Sequence, residues 1–350
     1  MSHKRHPGVH ALFVAVCGLS LVLMDDRGAS AGIQLVPPLG DTDGGNVVVL
    51  PPGADGLAGA IAAAGRGGTV LVKSGLHTES GTVFITSQVR IVGEAGAILE
   101  SQTVASTTQP TVIEPALHIR GASGTVVRGL EFRPPADTEG NYAIVIEDSG
   151  TVAIRRNRIH GYEGGVMLQN ANNATITGNM IEVNPAFADM GIVVINGRGA
   201  RIDNNAVSGG LFNIWACDRA GEASGNVLTG GLVGLILCKV PAGAYVVSGV
   251  PRGSDGPGQG WSVRGNNATG NTWGYLAIDD GNNSTFADNQ ASGNFLYDME
   301  LAGDSMRFGF LTPSSFQNTV KQNGMLIKDC GRDNRVIQGT LIDTTADPCF

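Results

Sequence analysis

TVAIRRNRIHG (residues 151–161), NATITGNMIEV (173–183), ARIDNNAVSGG (200–210), GEASGNVLTGG (221–231), WSVRGNNATGN (261–271) and STFADNQASGN (284–294) share one pattern. Each alternates polar and apolar residues around an asparagine: Asn157, Asn179, Asn205, Asn226, Asn266 and Asn289. GTVVRGLEF places Leu130 in the same column one coil earlier, and a weaker match places Asn323 one coil later. The steps are 22, 26, 21, 40, 23 and 34 residues. A second strand follows each asparagine: GGVMLQN, MGIVVIN, FNIWACD, VGLILCK, WGYLAID and YDMELAG. Period-two alternation in every segment marks strands, because a helix face needs spacings of three and four. A repeat of this length, made of short strands and glycine turns, is one coil of a β-solenoid.

One coil cannot bury its own inward side chains, but coils stacked about 4.8 Å apart share backbone hydrogen bonds and a common core. This register predicts an inward stack of Met167, Val193, Trp215, Ile236, Leu276 and Met299, and a second stack of the asparagines, bonded amide to amide. Parallel crossovers of this kind are right-handed. Open ends would leave unpaired strand edges. Leu57, Ile61 and Ala64 have helical spacing, so residues 55–65 are expected to form a capping helix. The expected architecture is therefore all-β: a single-stranded right-handed parallel β-helix over residues 55–350, after an extended lead-in at 32–54. The run GGTVLVKSGLHTESGTVFITSQVRIVGEAGAILES (67–101) resembles the opening coils of the pectin-lyase-like superfamily. The resemblance implies the fold. It leaves the activity open, since such proteins include lyases, hydrolases, epimerases, adhesins and periplasmic maturation proteins.

The N-terminus reads as an export signal. Lys4 and Arg5 precede an apolar run from Val9 to Met24, and Ala29-Ser30-Ala31 offers small residues for cleavage after Ala31. The chain is then expected to be secreted or periplasmic, with no membrane span after cleavage. Loss of residues 1–31 removes Lys4, Arg5, Arg27, Asp25 and Asp26, which moves the formal charge from −8 to −9. An acidic chain without a basic run argues against nucleic acid as partner. A polysaccharide remains, and an anionic one needs only a local basic patch or a bound cation.

Four cysteines remain: Cys217, Cys238, Cys330 and Cys349. Cys217 and Cys238 both stand twelve residues after their asparagine, so adjacent rungs bring them together, as a disulfide or as packed thiols. Cys330 and Cys349 are then left to pair.

Insertions mark the turns that wall a groove: 133–141 and 183–190 before the second strand, 240–260 and 303–315 after it. Beside the latter, Asn170, Asn196, Asp218, Lys239 and Asp279 fall in one column, with Arg219 and Asp280 the next residues on their coils. Cations between carboxylates on successive rungs suit an acidic sugar. Lys239 or Arg219 would abstract the proton alpha to a uronate carboxylate, with Asp218 and Asp279 completing the catalytic set. Asp280, Asn196 and Asn170 would bind substrate, and Asp279 with Asp280 would hold Ca²⁺. The leading expectation is thus a polysaccharide lyase. A second is a non-catalytic β-helix that binds glycans or surfaces, or serves periplasmic assembly. A third is an inverting glycoside hydrolase, because Asp218 and Asp279 lie two rungs apart, about 9–10 Å. The N-T-D, G-H-G and R-I-K motifs of polygalacturonases and the D-P-H-D motif of alginate epimerases are absent. Two further polar groups stand out: Arg155, Arg156, Arg158, His160, Tyr162 and Glu163, and the pair Asp298 and Glu300.

Overall fold

The computed structural model describes residues 34–36, 45–105, 112–184, 190–247, 249–254, 256–307, 310–345 and 349; the expected signal segment, 1–31, lies outside the described residues. The chain winds through about 11 turns of a β-solenoid. Thirty-one strands join in one continuous hydrogen-bonded set, and almost every pairing is parallel and in register.

Each coil contributes to three sheets. The first contains Ala153–Arg155, Thr175–Thr177, Arg201–Asp203 and Glu222–Ser224, and the second contains Met180–Val183, Ala206–Ser208 and Val227–Thr229. The third contains Gly140–Glu147, Arg158–Gln169, Met190–Arg198, Phe212–Arg219, Val233–Leu237, Trp273–Ala277 and Tyr297–Leu301. Its strand Arg158–Gln169 starts in the second sheet and bends into the third near Gly161.

The asparagine column sits at the corner between the first and second sheets. Asn179, Asn205, Asn226 and Asn266 are 0–2% exposed. Asn205 shows the repeated bonding. Its backbone N–H and its Nδ2 both donate to Asn226 Oδ1, at 2.9 and 3.0 Å, while Nδ2 also donates to Ile176 O at 2.8 Å. Its own Oδ1 accepts from Asn179 in the same way. The side chains thus supply bonds that a backbone turning a corner cannot make for itself. Leu130 N–H donates to Asn157 Oδ1, which confirms Leu130 as the step before the ladder. The ladder ends differently from expectation: Gln322 Oε1, not Asn323, accepts the Asn289 N–H, at 2.8 Å. A glutamine one residue earlier reaches the same point.

The third sheet corrects the expected parity. Val166, Leu168, Ile192, Val194, Ile214, Leu235, Tyr275 and Met299 fill the solenoid interior. Met167, Val193, Trp215, Ile236 and Leu276 point the other way, into a separate apolar cluster on the outer face. Met299 belongs inside, and Glu300 is the register partner of Leu276. The outer stack is still buried. Strands Val240–Val247 and Val250–Ser254 form an antiparallel ribbon that pairs with Val112–Ile113. Ile113 and Val247 join the outer cluster. The long insertion therefore runs lengthwise across several coils and covers the sheet's outer face.

A helix forms at Leu57–Ala64, burying Leu57, Ala60, Ile61 and Ala64. It packs against Val47–Leu50, Thr69–Val72 and Val83–Ile85. Gly56 provides no capping side chain; instead Glu79, one coil on, accepts the Leu57 N–H at 2.9 Å. The first parallel rung is Val47–Leu50, paired with Thr69–Val72, so solenoid pairing begins within the expected lead-in. Cys330 and Cys349 are disulfide-bonded, with Cα atoms 5.5 Å apart. Among the described residues, no helix is long and apolar enough to cross a membrane.

Candidate functional site

The middle of the third sheet's outer face is apolar and roofed. Beneath the roof, Cys217 and Cys238 are buried free thiols with Sγ atoms 3.8 Å apart, and Trp215 Nε1 lies 2.5 Å from Cys238 Sγ. The rung proximity read from sequence holds, in the thiol form.

Polar groups take over at both ends of the same face. Toward the N-terminus, His118 and Glu147 are fully buried and bonded at 2.9 Å, with Arg120 at 3.6 Å from the same carboxylate. Toward the C-terminus, Trp273 Nε1 donates to Glu300 at 2.8 Å. Lys328 donates to the Tyr297 hydroxyl at 2.9 Å and lies 4.7 Å from its ring centroid. Glu300 is 0% exposed, so this pair of aromatic-to-charge contacts is internal architecture at that end.

The column singled out in sequence lies at the corner between the third and first sheets. Asn170, Asn196 and Asp279 all hold left-handed backbone, with φ of 53°, 51° and 50°. Asn and Asp tolerate that conformation best among non-glycine residues. Asn170 Nδ2 donates to Asp148 at 2.9 Å, and Asn196 donates to Asn170. Lys239 and Asp280 form an ion pair at 2.5 Å, each about a quarter exposed. Burial pushes the Asp279 carboxyl above its ordinary range, while the Lys239 charge and backbone pull it back. The structure thus brings Lys239, Asp279 and Asp280 together, and Asn170 with Asn196; the side chain of Asp218 lies outside the described residues. Calcium takes six to eight oxygens. Asp279 and Asp280 supply two of the expected calcium carboxylates, and Asp280 faces the Lys239 ammonium.

Next to this column opens a cavity of about 550 Å³, lined by Asn172, Asn173, Asn196, Arg198, Arg219 and Gly256. Gly256 comes from the descending end of the 240–260 insertion, so the roofing segment also supplies one wall.

On the opposite margin, where the second sheet turns into the third, stands a site the sequence reading only brushed. Glu163 is pushed up to about 7, first by burial and then by repulsion from Glu139. Asn141 Nδ2 lies 3.4 Å from Glu163 Oε2, and Asn184 Nδ2 donates to Glu139 at 2.5 Å. The residues come from three successive coils and from both short insertions. The insertions at 133–141 and 183–190, and Glu163 within the polar group 155–163, were the hints in sequence. The arginine-rich cluster around Glu163 disperses: Tyr162 points into the interior, and His160 pairs with Glu131 at 2.9 Å.

A family model described as right handed beta helix region matches residues 115–230. No curated protein matches the chain in sequence. Among solved structures, the Dettilon tailspike protein is similar at 12% identity and a TM-score of 0.54, over 84% of this chain and 68% of that one. The family 28 exopolygalacturonase of Yersinia enterocolitica is similar at 12% identity and a TM-score of 0.50, over 84% and 65%. The enzymatically active domain of bacteriophage CBA120 tailspike protein 2 follows at 10% and 0.50, over 79% and 40%. This chain therefore spans about two thirds or less of those chains. At such identities the likeness establishes the fold, a right-handed parallel β-helix.

Proposed function

We propose that this right-handed parallel β-helix is an exported polysaccharide-cleaving enzyme, with acid–base chemistry on the wall formed by Glu139, Asn141, Glu163 and Asn184. The carrying observation is Glu163: a half-buried carboxyl at the mouth of two insertions, holding its proton up to a pH of about 7 beside a second carboxylate. Glycosidic cleavage needs one carboxyl group that gives a proton and a second that takes one. Glu163 gives its proton to the leaving glycosidic oxygen. As that carbon–oxygen bond breaks, a water oxygen bonds to the anomeric carbon, and the water proton passes to Glu139. The family 28 exopolygalacturonase, which is similar in fold, lends support to a glycan substrate.

A lyase reading has the arginine-lined cavity beside Lys239 in its favour. Against Lys239 as its base stands its ion pair with Asp280, which already engages the side chain. Arg219, also a base candidate, lines the cavity itself.

The purified mature protein on a polysaccharide panel, with and without Ca²⁺, separates these readings. New reducing ends without unsaturated-uronate absorbance are expected. Glu163→Gln should lower turnover by about 10²–10⁴-fold while the fold survives. The wild-type rate should fall as pH rises through about 7, since the acid is then lost. Undiminished turnover in Glu163→Gln, or uronate absorbance in the wild type, would overturn the acid–base assignment.

A further inference from the structure

We infer that the C-terminal end of the solenoid docks a second copy of this chain, through antiparallel pairing of the strand Arg335–Leu341 with its own counterpart. The two ends of the stack are finished differently. At one, the helix Leu57–Ala64 packs over the first rungs and buries its apolar residues. At the other, Arg335–Leu341 pairs in parallel with Thr319–Asp329, and among the described residues no strand pairs with its far edge. Every residue of this strand except Val336 is exposed. Cys349 is tied to Cys330, just past the register partner of Leu341, so the disulfide holds the last described residue beside the strand's end. A strand edge in this state is a template for another strand.

The side chains along the edge select the occupant. Val336 and Leu341 are register partners of Val320 and Ile327, which are fully buried in the interior. They are therefore the last inward side chains of the core, yet Leu341 is 57% exposed. Ile337 between them is 42% exposed, and Leu326, the register partner of Thr340 one coil back, is 51% exposed. The segment is also complementary to its own reverse. It runs Arg335-Val336-Ile337-Gln338-Gly339-Thr340-Leu341-Ile342-Asp343, with a base at one end, an acid at the other and an apolar pair inside each. Its register shifts in the middle, between the partners Lys321 and Leu326, and a two-fold axis through that point exchanges the two arms. Each copy's Val336 and Ile337 then meet the other's Leu341 and Ile342, so each interior closes the other. The same axis brings each Arg335 to the Asp343 of the other copy, and both residues are exposed. Opposite charges at the two ends of the pairing fix its direction and register.

Sedimentation of the whole mature protein over a range of concentrations tests this, and a monomer–dimer equilibrium is expected. Arg335→Glu alone and Asp343→Arg alone should each weaken the dimer at least about tenfold, because each sets like charges against each other at both contacts. Mixing the two single variants should restore association, since unlike charges then face each other at both contacts. The double variant Arg335→Glu/Asp343→Arg should restore it as well, which excludes misfolding as the cause of the single losses. Ile337→Lys should abolish the dimer while the melting temperature holds, because that side chain is exposed in the single copy. A monomer at every concentration, or a dimer indifferent to both charge reversals, would overturn the interface. Open filaments in place of a closed dimer would overturn it too, since head-to-tail stacking does not use the two-fold axis.

Discussion

Two polar columns climb this solenoid, and in sequence they look alike: residues rich in asparagine, one per coil, at coil-length spacing. The ladder of Asn157, Asn179, Asn205, Asn226, Asn266 and Asn289 is buried, and each amide replaces hydrogen bonds that the turning backbone lacks. The column of Asn170, Asn196, Lys239 and Asp279 lies at another corner, partly or fully exposed. There the left-handed backbone selects Asn and Asp, and the side chains remain available for neighbours or ligand. Identical residue types thus serve the scaffold by side chain in one place and by backbone tolerance in the other. Of these two columns, only the second has side chains that solvent reaches.

The sharpest way to break this contrast is Asn205→Ala. It deprives Asn179, Asn226 and Ile176 of partners inside a closed interior, at a cost of roughly 3 kcal/mol. Denaturant titration should show a lower midpoint with an unchanged slope. An unshifted midpoint would mean that the ladder is decoration.

The repeat was legible because the ladder is strict: one asparagine per coil, flanked by alternating residues, sets the rungs. Parity in the third sheet was not. Its strands are apolar on both faces, since Leu168 meets the interior and Met167 meets the roof. Alternation then carries no contrast, and the choice of inward residue slips by one. The roof itself is built from Val112–Ile113 and the 240–254 ribbon, which are far apart in sequence and share no repeat. Glu163 was hidden for another reason. Its proton affinity depends on burial and on Glu139, a loop residue one coil away, and no motif records either.

A middle-sized effect is expected from Lys239→Ala. The Asp280 ion pair is about a quarter exposed, so its loss should cost about 1 kcal/mol at neutral pH. The sign with pH is informative. Burial raises the Asp279 carboxyl, so its ionisation in the fold opposes stability as pH rises past the ordinary carboxylate range. Removing the compensating ammonium should steepen that decline, and at acid pH, with both carboxyls protonated, the variant should approach the wild type. A pH-independent loss would point to packing of the lysine stem instead of charge.

The smallest effect comes from Asn196, and it discriminates best. Its φ of 51° is left-handed, so Asn196→Gly relieves the backbone and should leave the melting temperature nearly unchanged. Asn196→Ala keeps a Cβ without the amide and should cost about 1 kcal/mol. In the ladder the order reverses, because Asn205→Gly loses every bond that Asn205→Ala loses and adds chain entropy besides. Both Asn196 variants should nevertheless weaken oligosaccharide binding equally, since both delete the carboxamide at the cavity rim. Stability that follows the backbone while binding follows the side chain would separate the two roles within one residue. If binding instead tracked stability across the two variants, Asn196 would belong with the scaffold, and the line between the two columns would have to be redrawn.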